Sequence, residues 1–394
     1  MSIICFIYNY FVVRLFLVME SPDIQKGNVL DRGAQMVVSR ILPGVFSSGD
    51  VVINDLSFFR DLLFRGSLGL GDSYMAGKWD SSCIDEVVNK ILQTGAYQKF
   101  AFVYDAVREF RSRLFNLQNK KRAKRVIEEH YDLPVGFYQA FLGPKMKYTC
   151  LDYTTATDIE TAEIDSMRRV CEKLELKPGD RVADYGGGWG GLAGFMADEY
   201  GVRPTIVTRS KEQAQFARET HGDKIEVVEC DYRDIPADFA ESFDASSAIG
   251  IWEHIGHKNY GSFLKVIDHN LKKSGRLLIH TLFTSYSSLA TNPWLNKHIF
   301  PEGELTPKET IIREISKFFT LSGNESGDEA FEEITPNYFP TLHAWKDRLT
   351  DAYRGGRVQI SEQEFRKWVF YFMSCAGAIK AEYMRVGQFL ARKD

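Results

Sequence analysis

From about residue 160 onward, short apolar runs alternate with helix-sized polar or amphipathic stretches. RVADY, PTIVT, IEVVEC, FDASSAIGI and RLLIHTLF are the runs. Each is too short for a helix and rich in β-branched or small residues, so each predicts a buried strand. An amphipathic helix over Asp165 to Leu174 precedes the first run, with Pro178-Gly179 as the break between them. This alternation predicts an α/β domain built on a doubly wound parallel sheet. In such sheets ligands sit beyond the carboxyl ends of the strands.

The pattern before residue 105 is mixed. VVINDLSFFRDLLFRGSLGLGDSYMAGKW joins a strand-like run to a helical one, then a Gly-rich turn at Gly66, Gly69 and Gly71 and an aromatic segment. Residues 20–107 are therefore expected to form a smaller, mixed helical N-terminal domain, and residues 126–394 the larger one. Between them, residues 108–125 carry eight basic side chains against the single acid Glu109. This run reads either as a solvated linker helix or as a contact to anionic phosphates, Lys120, Lys121 and Arg122 at its densest point. The first 18 residues are apolar but interrupted by Arg14, with no basic segment ahead of them. A start at Met19 with residues 1–19 as an extension, or a membrane-touching segment, are the two readings of this stretch.

Bulk composition adds limits. A net charge of −4 gives no global attraction to nucleic acid or anionic lipid, so any such affinity has to be local. No nucleic-acid partner is expected, because the basic run lacks interleaved aromatics for base stacking. Six scattered cysteines without a CxxC pair argue against a disulfide framework or a zinc ribbon and for a reducing, cytoplasmic setting. His254 and His257 lack metal-ligand spacing and are expected to be solvated or capping, so no metal is expected.

The unusual residues fall where the sheet should bind. DYGGGWGGL, Asp184 to Leu192, holds five glycines in six positions. Gly186, Gly188 and Gly191 satisfy GxGxxG, so a dinucleotide fold, and with it an NADP-dependent oxidoreductase, is one reading. Asp184 immediately before the loop, and Thr208-Arg209 in place of an acidic ribose ligand, favour another. The stretch is similar to the DxGxGxG loop of S-adenosylmethionine enzymes, whose carboxylate suits the cofactor's ammonium while glycines admit close backbone approach. Thr208 to Gln213 suits ribose, and Asp231 with Tyr232 suits the adenine amino group and face. Glu253 lies at the end of the fourth strand, where a buried carboxylate is costly unless it binds something. His280 ends the fifth.

Together, HYDLPVGFYQAFLGPKMKYTCLDY, DYGGGWGGL, CDYRD, WEHIGHKNY, NPWLNKHIFPEGEL and YFMSCAGA resemble the cyclopropane-fatty-acyl-phospholipid synthases, from about Ser67 to nearly the C-terminus. The resemblance implies a Rossmann-like class I methyltransferase domain and a lipid-binding or accessory N-terminal domain. It implies transfer of a methyl group from S-adenosylmethionine to a cis double bond in a phospholipid acyl chain. Loss of a proton to a bound bicarbonate ion then closes a three-membered ring. It assigns the ion to Glu253, His280, Tyr338 and Cys150, with Leu282 contacting it through its backbone where the family commonly has isoleucine. It assigns the cofactor to Tyr148, Thr149, Asp184, Gly186, Gly187, Gly188, Trp189, Gly190, Thr208, Gln213, Asp231 and Tyr232. Tyr131, in HYDL, belongs to the lipid side. Cys375 matches a cysteine sometimes assigned as catalytic, but the transfer needs no thiol, and a buried small residue in a Gly/Ala-rich helix is the simpler account.

Two departures bear on the site. Tyr185 and Gly187 replace the isoleucine and cysteine usual in the loop, so Tyr185 has to find room under the cofactor or against the sheet. Pro134-Val135 replaces a polar pair. A methyl-branched or hydroxylated product is the alternative outcome, a homodimer the expected assembly, and the inner face of the cytoplasmic membrane the expected location.

Overall fold

A computed structural model describes residues 26–47, 49–95, 134–284, 292–325 and 327–394. The basic run at 108–125, Tyr131 and the first 19 residues lie outside them. The strands, in chain order, are β1 (Val51–Ile53), β2 (Trp79–Ser81), β3 (Arg181–Tyr185), β4 (Arg203–Thr208), β5 (Glu226–Glu229), β6 (Phe243–Ile249), β7 (Leu271–Thr284), β8 (Thr306–Pro307), β9 (Thr320–Leu321), β10 (Phe331–Glu333) and β11 (Arg385–Arg392). The last nine form one sheet whose main path runs β10-β11-β7-β6-β3-β4-β5.

Alternation along each strand feeds two cores. Val182 and Leu278 join Met167 and Phe195 on one face of the sheet. Ala183, Leu277 and Ile279 join Phe263 and Ile267 on the other. Covering both faces is what a parallel sheet needs, and it explains why these strands read as nearly continuous apolar runs.

Along the main path the parallel expectation holds from β5 to β7, and the short β8 also pairs parallel with β7. β11 pairs antiparallel with β7, and β10 with β11. The chain returns to this edge out of the helix Glu362–Lys380, reaching it from the opposite end. β7 is also longer than its apolar run, so His280 lies within the strand, paired with Ile249 at the end of β6. The helix expected from Asp165 begins at Ile159, because Asp158 caps it by accepting the Thr161 N–H.

Of the expected Gly-rich turn, only Gly66 makes the bend, between the two halves of the helix Ser57–Met75, while Gly69 and Gly71 lie within the second half. The helix folds back at Gly66, whose φ of 54° and ψ of −128° break the helical geometry. The two halves then touch so closely that a Cβ on Gly69 would stand 1.9 Å from the Asp61 carbonyl oxygen. Glycine is needed here for approach as much as for the bend.

Phe58, Trp79 and Ile84 share a core with Phe141, Trp345 and Phe372, so the N-terminal elements pack directly on helices from the second half of the chain. Arg366, from the helix Glu362–Lys380, fixes that junction. Its guanidinium donates to the carbonyls of Tyr74 (2.6 Å) and Trp79 (3.0 Å) and to the Asp80 carboxylate (2.9 Å). The Gly/Ala-rich SCAGA stretch serves the same contact, since a Cβ on Gly377 would meet the Asp85 carbonyl at 2.5 Å. Among the described residues no helix is long and apolar enough to cross a membrane.

Candidate active site

A cavity of about 420 Å³ opens beyond the carboxyl ends of β3, β4 and β6. The glycine loop forms one wall. Tyr338 and Tyr371 form another, and Ser67, Leu70, Val88 and Leu92 of the N-terminal helices close the far side.

The loop performs as its composition requires. Gly188 has a φ of 55° and open space where its Cβ would be, so its need for glycine is conformational. At Gly191 the need is room, because a Cβ would stand 1.8 Å from the Lys145 carbonyl oxygen. Gly186, Gly187 and Trp189 line the cavity, and the Trp189 ring lies 4.8 Å from that of Tyr138. Gly190 does not face the cavity; it packs on His221 and Ile225. Tyr185 turns to the far face of the sheet, where its hydroxyl accepts from Asn270 Nδ2 at 3.1 Å and its ring meets Phe263 edge-on. It does not crowd the cofactor side.

Asp184 is buried and accepts the Ser247 hydroxyl at 2.6 Å. Burial raises its pKa, while that bond and the nearby Lys147 ammonium oppose the shift. Lys147, itself buried at the cavity wall, carried no signal in the sequence beyond its neighbours. Thr208 and Gln213 also reach the wall, tied to each other by a 3.0 Å bond from the Thr208 hydroxyl to the Gln213 amide oxygen. Tyr232 lines the cavity.

Asp231, expected at the adenine amino group, is already engaged by two arginines. Its carboxylate accepts from Arg209 (2.9 Å) and Arg233 (2.6 Å), and caps the Arg233 N–H. Burial pushes this carboxyl up, but the two guanidinium groups outweigh it and hold it well below the usual range. A ligand amino group would have to displace them. Arg233 and Cys230, its neighbours, stand at the wall instead.

The second cluster gathers around Glu253. The chain leaves β6, turns at Gly250 and enters the one-turn helix Trp252–Ile255, which carries Glu253. The PEGEL segment clamps that turn. Glu304 donates its N–H to the Glu253 carbonyl at 2.9 Å, and its carboxylate accepts the His257 N–H at 2.8 Å and faces the ring Nδ1 at 3.0 Å. His254 stands half-buried at the cavity wall; burial, then Arg209, pull its pKa down to about 4.

Glu253 Oε1 accepts the Leu282 N–H at 2.6 Å, whereas Oε2 is buried without a partner among the described residues. The Leu282 backbone, expected at the ion, is thus spent on the glutamate. Burial raises the Glu253 pKa against that hydrogen bond. His280 Nε2 lies 3.1 Å from Thr149 Oγ1, so Thr149, expected at the cofactor, stands beside the histidine. Cys150 Sγ points to the Ile334 carbonyl at 3.8 Å, and burial pushes its pKa far up. Tyr338 and Tyr148 both hydrogen-bond Tyr371, a residue absent from the sequence expectations because an aromatic in an apolar helix carries no distinguishing pattern. Cys375 lines the cavity, with burial alone raising its thiol to about 12.

An orphaned carboxylate oxygen, a histidine and tyrosine hydroxyls at one aromatic-walled space suit a small polar ligand able both to donate and to accept hydrogen bonds. A glycine cradle beside it suits a cofactor pressed against the backbone.

This sheet order, with its reversed edge strand and glycine loop, defines a class I S-adenosylmethionine-dependent methyltransferase. Residues 118–389 match the family described as mycolic acid cyclopropane synthetase. The chain is 36% identical over 378 residues to the cyclopropane-fatty-acyl-phospholipid synthase of Escherichia coli, covering 94% of this chain and 96% of that one. It is 30% identical to a probable fatty acid methyltransferase of Pseudomonas putida, covering 70% and 71%. A solved cyclopropane synthase from Mycobacterium tuberculosis superposes with a TM-score of 0.61 at 25% identity, covering 68% of this chain and 98% of that one. The protein belongs to the cyclopropane synthase family.

Proposed function

We propose that this protein converts cis double bonds in phospholipid acyl chains to cyclopropanes, with S-adenosylmethionine bound at the glycine loop and bicarbonate bound at Glu253. The observation that carries this reading is the Glu253 carboxylate, desolvated and with Oε2 free to accept, within a cavity that the glycine loop also lines. S-adenosylmethionine supplies the carbon as a sulfonium methyl, and bicarbonate supplies an oxygen basic enough to take up the proton lost at ring closure.

The chain's own residues prepare that chemistry. Asp184 and the loop backbone would hold the cofactor's amino-acid end, and Tyr232 the adenine face. Tyr148, Tyr338 and Tyr371 turn π faces and hydroxyls toward the reacting carbons, sheltering positive charge on the chain while keeping bulk water out. Glu253 Oε2 would accept a hydrogen bond from the ion, and His280 and Tyr338 would donate to it. Because Glu253, His280 and Tyr338 all line the one cavity, ring closure is favoured over a methyl-branched product. Attachment to the membrane surface is assigned to the basic run at 108–125, and residues 20–107 to the lipid side of the cavity.

The test is incubation with vesicles of monounsaturated phospholipid and labelled S-adenosylmethionine, followed by mass spectrometry of the acyl chains. Gain of one methylene with loss of the alkene is the expected result. Absence of label from lipid overturns the proposal, and a labelled but uncyclised branched chain assigns the methyltransferase alternative.

A further inference from the structure

His280 does not stand alone on its strand. The register sets Glu332 of β10 opposite Gln388 of β11, and Gln388 opposite His280 of β7. Residues opposite one another project from the same face, so the three side chains form a row across the sheet. Lys173, at the end of the helix Ile159–Lys173, reaches onto that row. Its ammonium lies 2.5 Å from Gln388 Oε1 and also hydrogen-bonds Glu332, which Arg169 pairs in turn. Lys173 and Gln388 are 2% and 5% exposed, so neither group has bulk water as an alternative partner.

The chemistry of these groups leaves one arrangement. A lysine ammonium has donors and no acceptor, so the amide oxygen of Gln388 must face it. The amide NH₂ then faces His280, with Nε2 of Gln388 at 3.3 Å from Nδ1 of the ring. An NH₂ can only donate, so Nδ1 must carry a lone pair and no proton. A neutral imidazole holds its single proton on the other nitrogen, Nε2, the one beside Thr149 at the cavity. The ring stays neutral because burial, then the charges of Lys147 and Lys173, lower its pKa to about 3.

We propose that Lys173 and Gln388 are positioning residues that lock His280 in its Nε2–H tautomer, making it a fixed hydrogen-bond donor to the ligand beside Glu253 and excluding it as the base. The use of that donor rests on bicarbonate being the ligand there; the tautomer lock does not. His280 accordingly keeps its proton throughout the reaction, and the burden of accepting the substrate's proton falls on the ion that Glu253 holds.

Glu332 has a role in this arrangement. Burial, and after it the Arg169 charge, lowers the Lys173 pKa, and a neutral amine could accept a bond and let the amide turn; the Glu332 carboxylate opposes that shift. Its own second partner, Arg169, keeps it paired if Lys173 is replaced.

The experiment reads the ring nitrogens directly. The full-length protein is labelled with ¹⁵N-histidine, and the His280 signals are assigned by their loss in His280→Gln. In the wild type, Nε2 is expected to resonate as a protonated, pyrrole-type nitrogen and Nδ1 as a bare, pyridine-type one. Gln388→Glu keeps the side chain's shape and gives Lys173 a charged partner, but its carboxylate accepts where the amide donated. The proton is then drawn to Nδ1, and Nδ1 becomes pyrrole-type. Turnover is expected to fall about 10- to 100-fold, with the KM for S-adenosylmethionine within about twofold of wild type. If Gln388→Glu does not fold, Lys173→Met serves, leaving the amide free to turn and giving signals intermediate between the two tautomers. A bare Nε2 in the wild type, or ¹⁵N signals unmoved in the variant that folds, overturns the proposal. A tautomer exchange in a protein whose rate ignores bicarbonate leaves the lock standing and removes only the identity of the ligand.

Discussion

Glu253 holds a carboxylate away from water with one oxygen bonded to the Leu282 N–H and the other without a hydrogen-bond partner among the described residues. A group kept at that cost is expected to work at the reacting centre. Glu253→Gln should lower kcat about 100-fold or more while changing the dissociation constant for S-adenosylmethionine by less than about threefold, since the glycine loop is untouched. Steady-state rates with calorimetry of cofactor binding check this; equal losses in both would remove Glu253 from the chemistry. Cys375 faces the same cavity, but its thiol stays protonated, held up to about 12 by burial. Cys375→Ala should keep turnover within about threefold and cost about 1 kcal/mol of stability for the lost sulfur contacts. A loss of activity beyond about 100-fold in the folded variant would assign the thiol a chemical role. Asp231 shows what single residues do not display: a carboxylate at a strand end suits adenine, and its pairing with Arg209 and Arg233 appears only in the fold.

Elements place these residues more firmly than their local sequence suggests. The one-turn helix carrying Glu253 is too short to be stable by itself, and it is held by Glu304 and by its junction with β6. The helix Glu362–Lys380 has two functions: one side supplies Tyr371 and Cys375 to the cavity, and Arg366 bonds the N-terminal elements. Arg366→Ala would leave the carbonyls of Tyr74 and Trp79 without that donor. It should destabilise the protein by about 2–4 kcal/mol in urea unfolding and expose residues 57–93 to hydrogen exchange ahead of β3–β7. Uniform exchange in the variant would mean that the junction does not depend on this side chain. The Gly66–Gly71 stretch belongs at this scale too. Its glycines read locally as a turn, which Gly66 makes; only the partner half of the helix, pressed against Gly69, explains that glycine as packing.

At the scale of the molecule, the cavity is a joint product: the glycine loop comes from the sheet, Tyr338 from a late helix, and Leu70 and Val88 from the N-terminal elements. With a net charge of −4, attraction to an anionic bilayer has to be local. Lys120, Lys121 and Arg122 replaced together by alanine should weaken binding to anionic vesicles about tenfold or more at low salt and little at high salt, read by vesicle sedimentation. Unchanged binding would make residues 108–125 a solvated linker. By itself the sequence determined the strands from β3 to β7 and the loop between Asp184 and Leu192. The motifs that mark the family are also contiguous in the chain. Each of these is a local pattern, since strand runs, strand-end residues and close-approach glycines show within a few positions. What only the tertiary structure decided is the antiparallel edge, the shared N-terminal core, the arginines on Asp231 and the polar row behind His280. Glu332, Gln388, His280 and Lys173 are separated by 52 to 215 positions in the chain. No window along the chain can show that the donors of one are pointed at the acceptors of the next; pairing β10, β11 and β7 in register does so.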